Sequence, residues 1–167
     1  MTPMPERTRA LLALNGLGLL VFAVFVGWQW MFALLGHIVL WPIIPPIDVQ
    51  LPTDHRAWRM AHMEGITQGL MLIAFGGVGQ FFLLTRRWHN VFFWSAIITA
   101  WVFSVPTYFH ALLGTRGLAF GGGPFKGGIG NDILYLVGWP PVIAVHLMLA
   151  VAIVGIWRYL KSIPRQD

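Results

Sequence analysis

The chain has 167 residues, 57% hydrophobic and 10% charged, with a mean hydropathy of +0.69. A chain this apolar cannot cover its surface as a soluble domain, and it reads as a membrane protein. The net charge of +5 does not point to nucleic acid, because the basic residues cluster at the ends of apolar runs, where anchors and topology signals sit, and the absence of cysteine excludes disulfides, thiolate metal sites and a cysteine nucleophile.

Crossing a bilayer takes about 20 apolar residues at about 1.5 Å each. The sequence supplies four such runs, so the expected fold is an all-α integral membrane four-helix bundle, one transmembrane domain over residues 1–167. The first helix follows Arg7 and Arg9 and is expected over about 10–41, too long for the apolar region of a signal peptide. Pro42, Pro45 and Pro46 end it, because proline cannot donate the helical hydrogen bond. After a linker to about His55, a second helix is expected over about 57–84. A short polar turn, Arg86-Arg87-Trp88-His89-Asn90, then sends a third helix, about 91–113, back antiparallel.

Residues 114–130 form a glycine-rich loop whose only charges are Arg116 and Lys126. No phosphate-loop pattern occurs there and no strand precedes it, so the glycines signal backbone permissiveness and close approach. The last helix is expected over about 132–160, with Asp132 near its N-terminus, Arg158 and Lys161 near its C-terminus, and a kink at Pro140 and Pro141. Four spans put Arg7, Arg9, Arg86, Arg87, Arg158, Lys161 and Arg165 on one side and Arg56, Arg59, Arg116 and Lys126 on the other. Seven basic residues against four place both termini in the cytoplasm. Trp41, Trp58, Trp88 and Trp157 lie near span ends, as interfacial aromatics do.

The stretch from Arg56 to Gly69 is the most informative, because ionisable groups in a membrane helix cost about 2.5–3.5 kcal/mol each even on lenient scales and persist where they have a partner or a task. At 100° per residue Arg59, His62, Ile66 and Gly69 share a face with Gly65 at its edge, while Glu64 and Gln68 fall on another. The Gly65-x-x-x-Gly69 spacing lets a flat or close-packed body approach beside His62: a neighbouring helix, or a haem whose iron takes an imidazole nitrogen. From spacing alone, His62 reads more readily as an interfacial histidine bonded to a carbonyl than as an iron ligand. His110 and His146 would permit a bis-histidine cytochrome, while His37, His55 and His89 read as polar anchors. Tyr108 near His110 could donate to a developing oxyanion or serve as an anchor, and Arg116 could pair with haem propionates or hold its loop.

AWRMAHMEGITQGLMLI (residues 57–73), TRGLAFGGGPF (residues 115–125) and the following NDI resemble the styrene oxide isomerase family of small four-helix bacterial membrane proteins. The family pattern has a tryptophan, then Arg-Ala-His, then Asn-Gly on the second helix, and Asn-Arg-Gly-Leu-x-Phe-Gly with a later phenylalanine in the loop. The resemblance implies a homotrimer in the bacterial cytoplasmic membrane with ferric haem b at each subunit interface. It makes His62 the axial iron ligand, Gly65, Gly69 and Arg116 cofactor contacts, and Gln68 and Tyr108 the groups that position the substrate oxygen. The reaction it implies is a Meinwald rearrangement, in which Lewis-acid opening of a lipophilic epoxide such as styrene oxide and a 1,2-shift yield the aldehyde or ketone without net redox change.

Several positions depart from the family pattern. Gln68 stands where the family has asparagine, Glu64 replaces a small residue, Thr99 falls at an expected aspartate, and ungapped counting puts Thr107, one residue before Tyr108, at the family's tyrosine. The rival functions are a b-type electron-transfer or haem-sensing protein in which His62 pairs with His110 or His146, and a haem-free structural or transport bundle.

Overall fold

The computed structural model describes residues 1–52 and 54–164. Its helices are α1 (Glu6–Leu35), α2 (His55–Val78), α3 (Arg86–Leu113), α4 (Ile129–Val137) and α5 (Trp139–Ser162), and an antiparallel hairpin of β1 (His37–Leu40) and β2 (Ile44–Asp48) joins α1 to α2. Three stretches are long and apolar enough to cross a membrane, namely α1, α3 and the run Ile129–Ser162 made by α4 and α5. Outward-facing Leu14, Leu17, Val21, Val24 and Phe25 on α1 suit lipid rather than water. Of the four expected spans, three meet this measure among the described residues. α2 packs as a full member of the bundle, but His55, Arg56, Arg59, His62, Glu64 and Gln68 make its first half too polar.

The element boundaries differ from the sequence expectation at points with local causes. α1 stops at Leu35, not near Trp41: Gly36 takes a left-handed conformation (φ 73°) and donates its N–H to Phe32 O, and the β-branched Ile38 and Val39 then continue as strand. α2 ends at Val78, a single 3-10 turn follows at Gly79–Phe81, and residues 82–85 are not helical. Arg86 to Asn90, expected as a polar turn, instead form the first turns of α3. The last helix breaks at Gly138, so Pro140 and Pro141 sit in the first turn of α5, where their missing N–H groups cost nothing. Within α3, Pro106 is accommodated without a break.

Backbone hydrogen bonds gather one end of the bundle. Thr2 and Leu84 exchange bonds of 3.0 and 3.2 Å, Met4 N donates to Gly79 O, and Leu83 N donates to Gly155 O. Buried His89 adds a ring-nitrogen bond to Thr2 O at 3.0 Å. The N-terminus, the α2–α3 junction and the C-terminal part of α5 therefore meet, which collects Arg7, Arg9, Arg86, Arg87, Arg158 and Lys161 at that end. Arg165, counted with them from the sequence, lies outside the described residues. The glycine loop and the start of α2 meet elsewhere through Arg116 and Asp54.

The main core joins Leu12 and Leu19 of α1, Leu72 of α2, Phe92, Ala96 and Ala100 of α3, and Met148 and Ala152 of α5. Within it α1 and α2 approach almost backbone to backbone. A Cβ on Gly16 would lie 2.6 Å from Gly69 O, one on Gly69 2.9 Å from Gly16 O, and one on Gly76 2.8 Å from Arg9 O. Small residues are what permit so close a crossing.

Candidate functional site

His62 sits on this seam. Its Nδ1 lies 2.9 Å from Ala23 O of α1, a contact that makes Nδ1 the protonated nitrogen and leaves the Nε2 lone pair without a hydrogen-bond partner among the described residues. Metal-binding imidazoles are held in this way, with one nitrogen oriented by a carbonyl and the other presented. Gly27 makes the seat possible, since a Cβ there would come within 2.9 Å of the ring, and the Trp30 ring lies 6.0 Å from it. The indole Nε1 of Trp30 is buried without a partner.

The two glycines beside His62 serve a different body from the one expected of cofactor contacts. Gly65 and Gly69 are buried against α1, where a Cβ on Gly65 would meet Ala23 Cβ at 3.0 Å. The body that the small residues admit along that stripe in this structure is α1.

Gln68 Nε2 donates to Glu64 Oε1 at 2.8 Å, one turn back along α2, while Gln68 Oε1 is buried without a partner. Tyr108 faces α1. Its hydroxyl donates to Gln29 Oε1 at 3.0 Å and its ring packs on Phe22, Phe25 and Trp58. Because α3 continues helically through Pro106, the one-residue rotation between Thr107 and Tyr108 is preserved, and Thr107 rather than Tyr108 faces the cleft beside α4 and α5. Gln29 is a functional candidate that the sequence reading missed. Only its distance of 79 positions from Tyr108, closed by folding, makes it visible.

Arg116 reaches Asp54 Oδ1 at 2.8 Å and lies over the Phe125 ring at 5.9 Å. Asp54 is also the N-cap of α2, accepting from Arg56 N and Ala57 N, so a single carboxylate joins the glycine loop to the helix that carries His62. The loop is held from its other end by the NDI residues. Buried Asn131 accepts from Gly117 N at 3.0 Å and donates to Ala119 O at 2.9 Å, and Asp132 accepts from Gly121 N at 2.7 Å. Positive φ at Gly117, Gly121, Gly122 and Gly123 allows the loop to fold back on these side chains.

Between α3, this loop, α4 and α5 lies a half-open, mainly apolar cleft of about 330 Å³, whose walls include Phe103, Thr107, His110, Tyr135, Trp139 and Val142. His110 is buried there, its Nδ1 2.7 Å from Thr115 Oγ1. His146 lies on α5 with Nδ1 against Val142 O. His62, His110 and His146 thus face three different surroundings. Among the described residues no group of three or more His, Cys, Asp or Glu side chains could hold a bare metal ion. A single presented imidazole suits a metal that arrives with its own equatorial ligands, as in haem.

No curated protein matches the chain. The model of a family described as styrene oxide isomerase matches residues 8–157, a range that takes in the His62 helix, Tyr108, the Arg116 loop and the NDI residues that hold it. By that match the chain belongs to the styrene oxide isomerase family, whose membership suggests a membrane-embedded isomerase acting on an epoxide.

Proposed function

We propose that this protein is a haem b-dependent isomerase that converts a lipophilic, aryl-type epoxide to the corresponding aldehyde or ketone. It works as a homotrimer with haem at the subunit interfaces, in the bacterial cytoplasmic membrane with four passes and both termini cytoplasmic. The observation that carries the reading is the seat of His62, whose Nδ1 is held by the Ala23 carbonyl and whose Nε2 has no hydrogen-bond partner among the described residues. Such second-sphere hydrogen bonds fix the ring and raise its basicity toward iron.

Bound ferric haem would supply a Lewis acid for the epoxide oxygen, so that ring opening and a 1,2-shift need no external oxidant or reductant. The protein's own groups hold and orient. Gln68 is the proposed donor to the substrate oxygen, since an amide nitrogen carries two N–H groups and its bond to Glu64 uses one. Tyr108 is the second proposed oxygen-positioning group, its ring fixed by Phe22, Phe25 and Trp58. Arg116 keeps guanidinium N–H groups beyond those directed at Asp54, and these would meet the cofactor's carboxylates. The apolar bundle excludes water, which would otherwise capture the opened epoxide.

The test is purified full-length protein supplemented with hemin, compared with His62→Ala. The wild type is expected to take up the pigment, to give a predominantly high-spin ferric spectrum, and to form a carbonyl product from styrene oxide or a related epoxide. His62→Ala is expected to lose the absorbance while keeping its helical circular dichroism. A colourless wild type, or a low-spin spectrum with two axial imidazoles and no carbonyl product, would overturn the proposal.

A further inference from the structure

We infer that the cleft between α3, the glycine loop, α4 and α5 is a binding site for a neutral, lipophilic small molecule bearing one hydrogen-bonding oxygen, and that His110 is its polar contact. The identity of that molecule as the epoxide before turnover, or the carbonyl product after it, rests on the function proposed above. The site itself rests on the cleft.

Four observations point to this chemistry. The volume of about 330 Å³ falls at the lower end of the roughly 300–1,000 Å³ typical of small-molecule sites. Its walls are aromatic and aliphatic, with Tyr135 and Trp139 edge to face at 6.2 Å beside Phe103 and Val142. The one cation at its rim, Arg116, is paired with Asp54 at 2.8 Å, so the rim carries no unbalanced charge.

The fourth observation is the imidazole. Thr107 Oγ1 bonds back to the carbonyls of its own helix, which leaves it presenting little but its methyl group. His110 has Nδ1 fixed by Thr115 Oγ1, and its Nε2 has no hydrogen-bond partner among the described residues. Gly117, in a left-handed conformation, packs directly on this ring, and any larger residue there would collide with Nε2. A buried imidazole that is oriented at one nitrogen, free at the other and set in an apolar wall is how a site selects a ligand with a single polar atom.

The site is tested with full-length haem-loaded protein in nanodiscs and 4-fluoroacetophenone, a neutral aryl ketone that cannot rearrange, observed by fluorine NMR. Val142→Trp fills the cleft and is expected to abolish the protein-dependent line broadening. If epoxide turnover is present, it also raises KM about tenfold or more with kcat within about twofold, the signature of lost ground-state binding. His110→Leu is expected to weaken ketone binding about fivefold, the loss of one hydrogen bond, with His110→Gln recovering most of it. Each variant is judged against an unchanged haem absorbance. Broadening unaffected by Val142→Trp would show that the ketone binds outside the cleft and would overturn the site. A protein that turns over no epoxide yet loses ketone binding in Val142→Trp would overturn the proposed function while leaving the site standing.

Discussion

The α1–α2 seam and the α3–α5 side of the bundle solve the same packing problem in opposite ways. At the seam, Gly16, Gly65, Gly69 and Gly76 remove side chains so that two backbones touch. α3 and α5 instead pack through Phe92, Ala96, Met148 and Ala152 at one end and then frame an open cleft toward the glycine loop. The seam has no tolerance for volume, and it seats His62; the cleft has volume to spare, and it holds His110. An imidazole that must present one nitrogen in one direction belongs on the rigid side, and a group that meets ligands of variable shape belongs on the roomy one.

The comparison is broken most directly by adding volume to each side. Gly69→Leu would drive its Cβ to within 2.9 Å of the Gly16 carbonyl, a backbone atom that cannot yield without moving α1, and to 3.1 Å from Leu20 Cδ2. It is expected to destabilise the protein by about 1–3 kcal/mol or more, the usual cost of overpacking, and to lower haem uptake because Ala23 moves with α1. Val142→Leu in the cleft is expected to stay within about 0.5 kcal/mol. Thermal unfolding in detergent, followed by helical circular dichroism, measures both, and equal tolerance at the two positions would mean that the seam is not tight.

A smaller effect is expected where the two regions are tied together. Asp54 caps α2 on the seam side and holds Arg116 on the cleft side. Asp54→Ala is expected to cost about 1–2 kcal/mol, most of it from the lost cap, with the half-open ion pair adding only a few tenths to about 1 kcal/mol. Asp54→Asn keeps the cap and removes the charge, so it is expected to recover more than half of that loss. If Asn is as damaging as Ala, the link to Arg116 outweighs the cap, and the loop depends on α2 more than the geometry suggests.

These differences also mark what the sequence could and could not reveal. The all-helical architecture, the glycine-rich loop, the resemblance around His62 and the close-approach spacing of Gly65 and Gly69 were legible, because each is a local pattern of hydrophobicity, backbone permissiveness or motif. What approaches Gly65 and Gly69 was not legible, since a haem and a helix demand the same small residues, and only the position of Gly16 and Ala23 decides between them. The end of α1 was misread because proline is the louder stop signal, whereas Gly36 ends the helix several residues earlier through its left-handed conformation. The ion pair of Asp54 with Arg116 and the bond of Gln29 with Tyr108 span 62 and 79 positions, which no periodicity registers.

The most discriminating substitution for mechanism, with a modest expected change in stability, is Tyr108→Phe. The ring contacts with Phe22, Phe25 and Trp58 survive the substitution, so only the hydrogen bond to Gln29 is lost, a cost of about 0.5–1.5 kcal/mol. The cost should fall at the upper end, because Gln29 Nε2 is already buried without a partner and its Oε1 would then join it. Turnover separates the two roles open to this phenol. If it donates to the substrate oxygen, as proposed, kcat falls about a hundredfold or more with little change in haem absorbance, as loss of an oxyanion donor does elsewhere. If kcat instead changes only in proportion to the small loss of stability, Tyr108 is a strut between α1 and α3, and Gln68, on the same helix as His62, is left as the only one of the two proposed donors to the substrate oxygen.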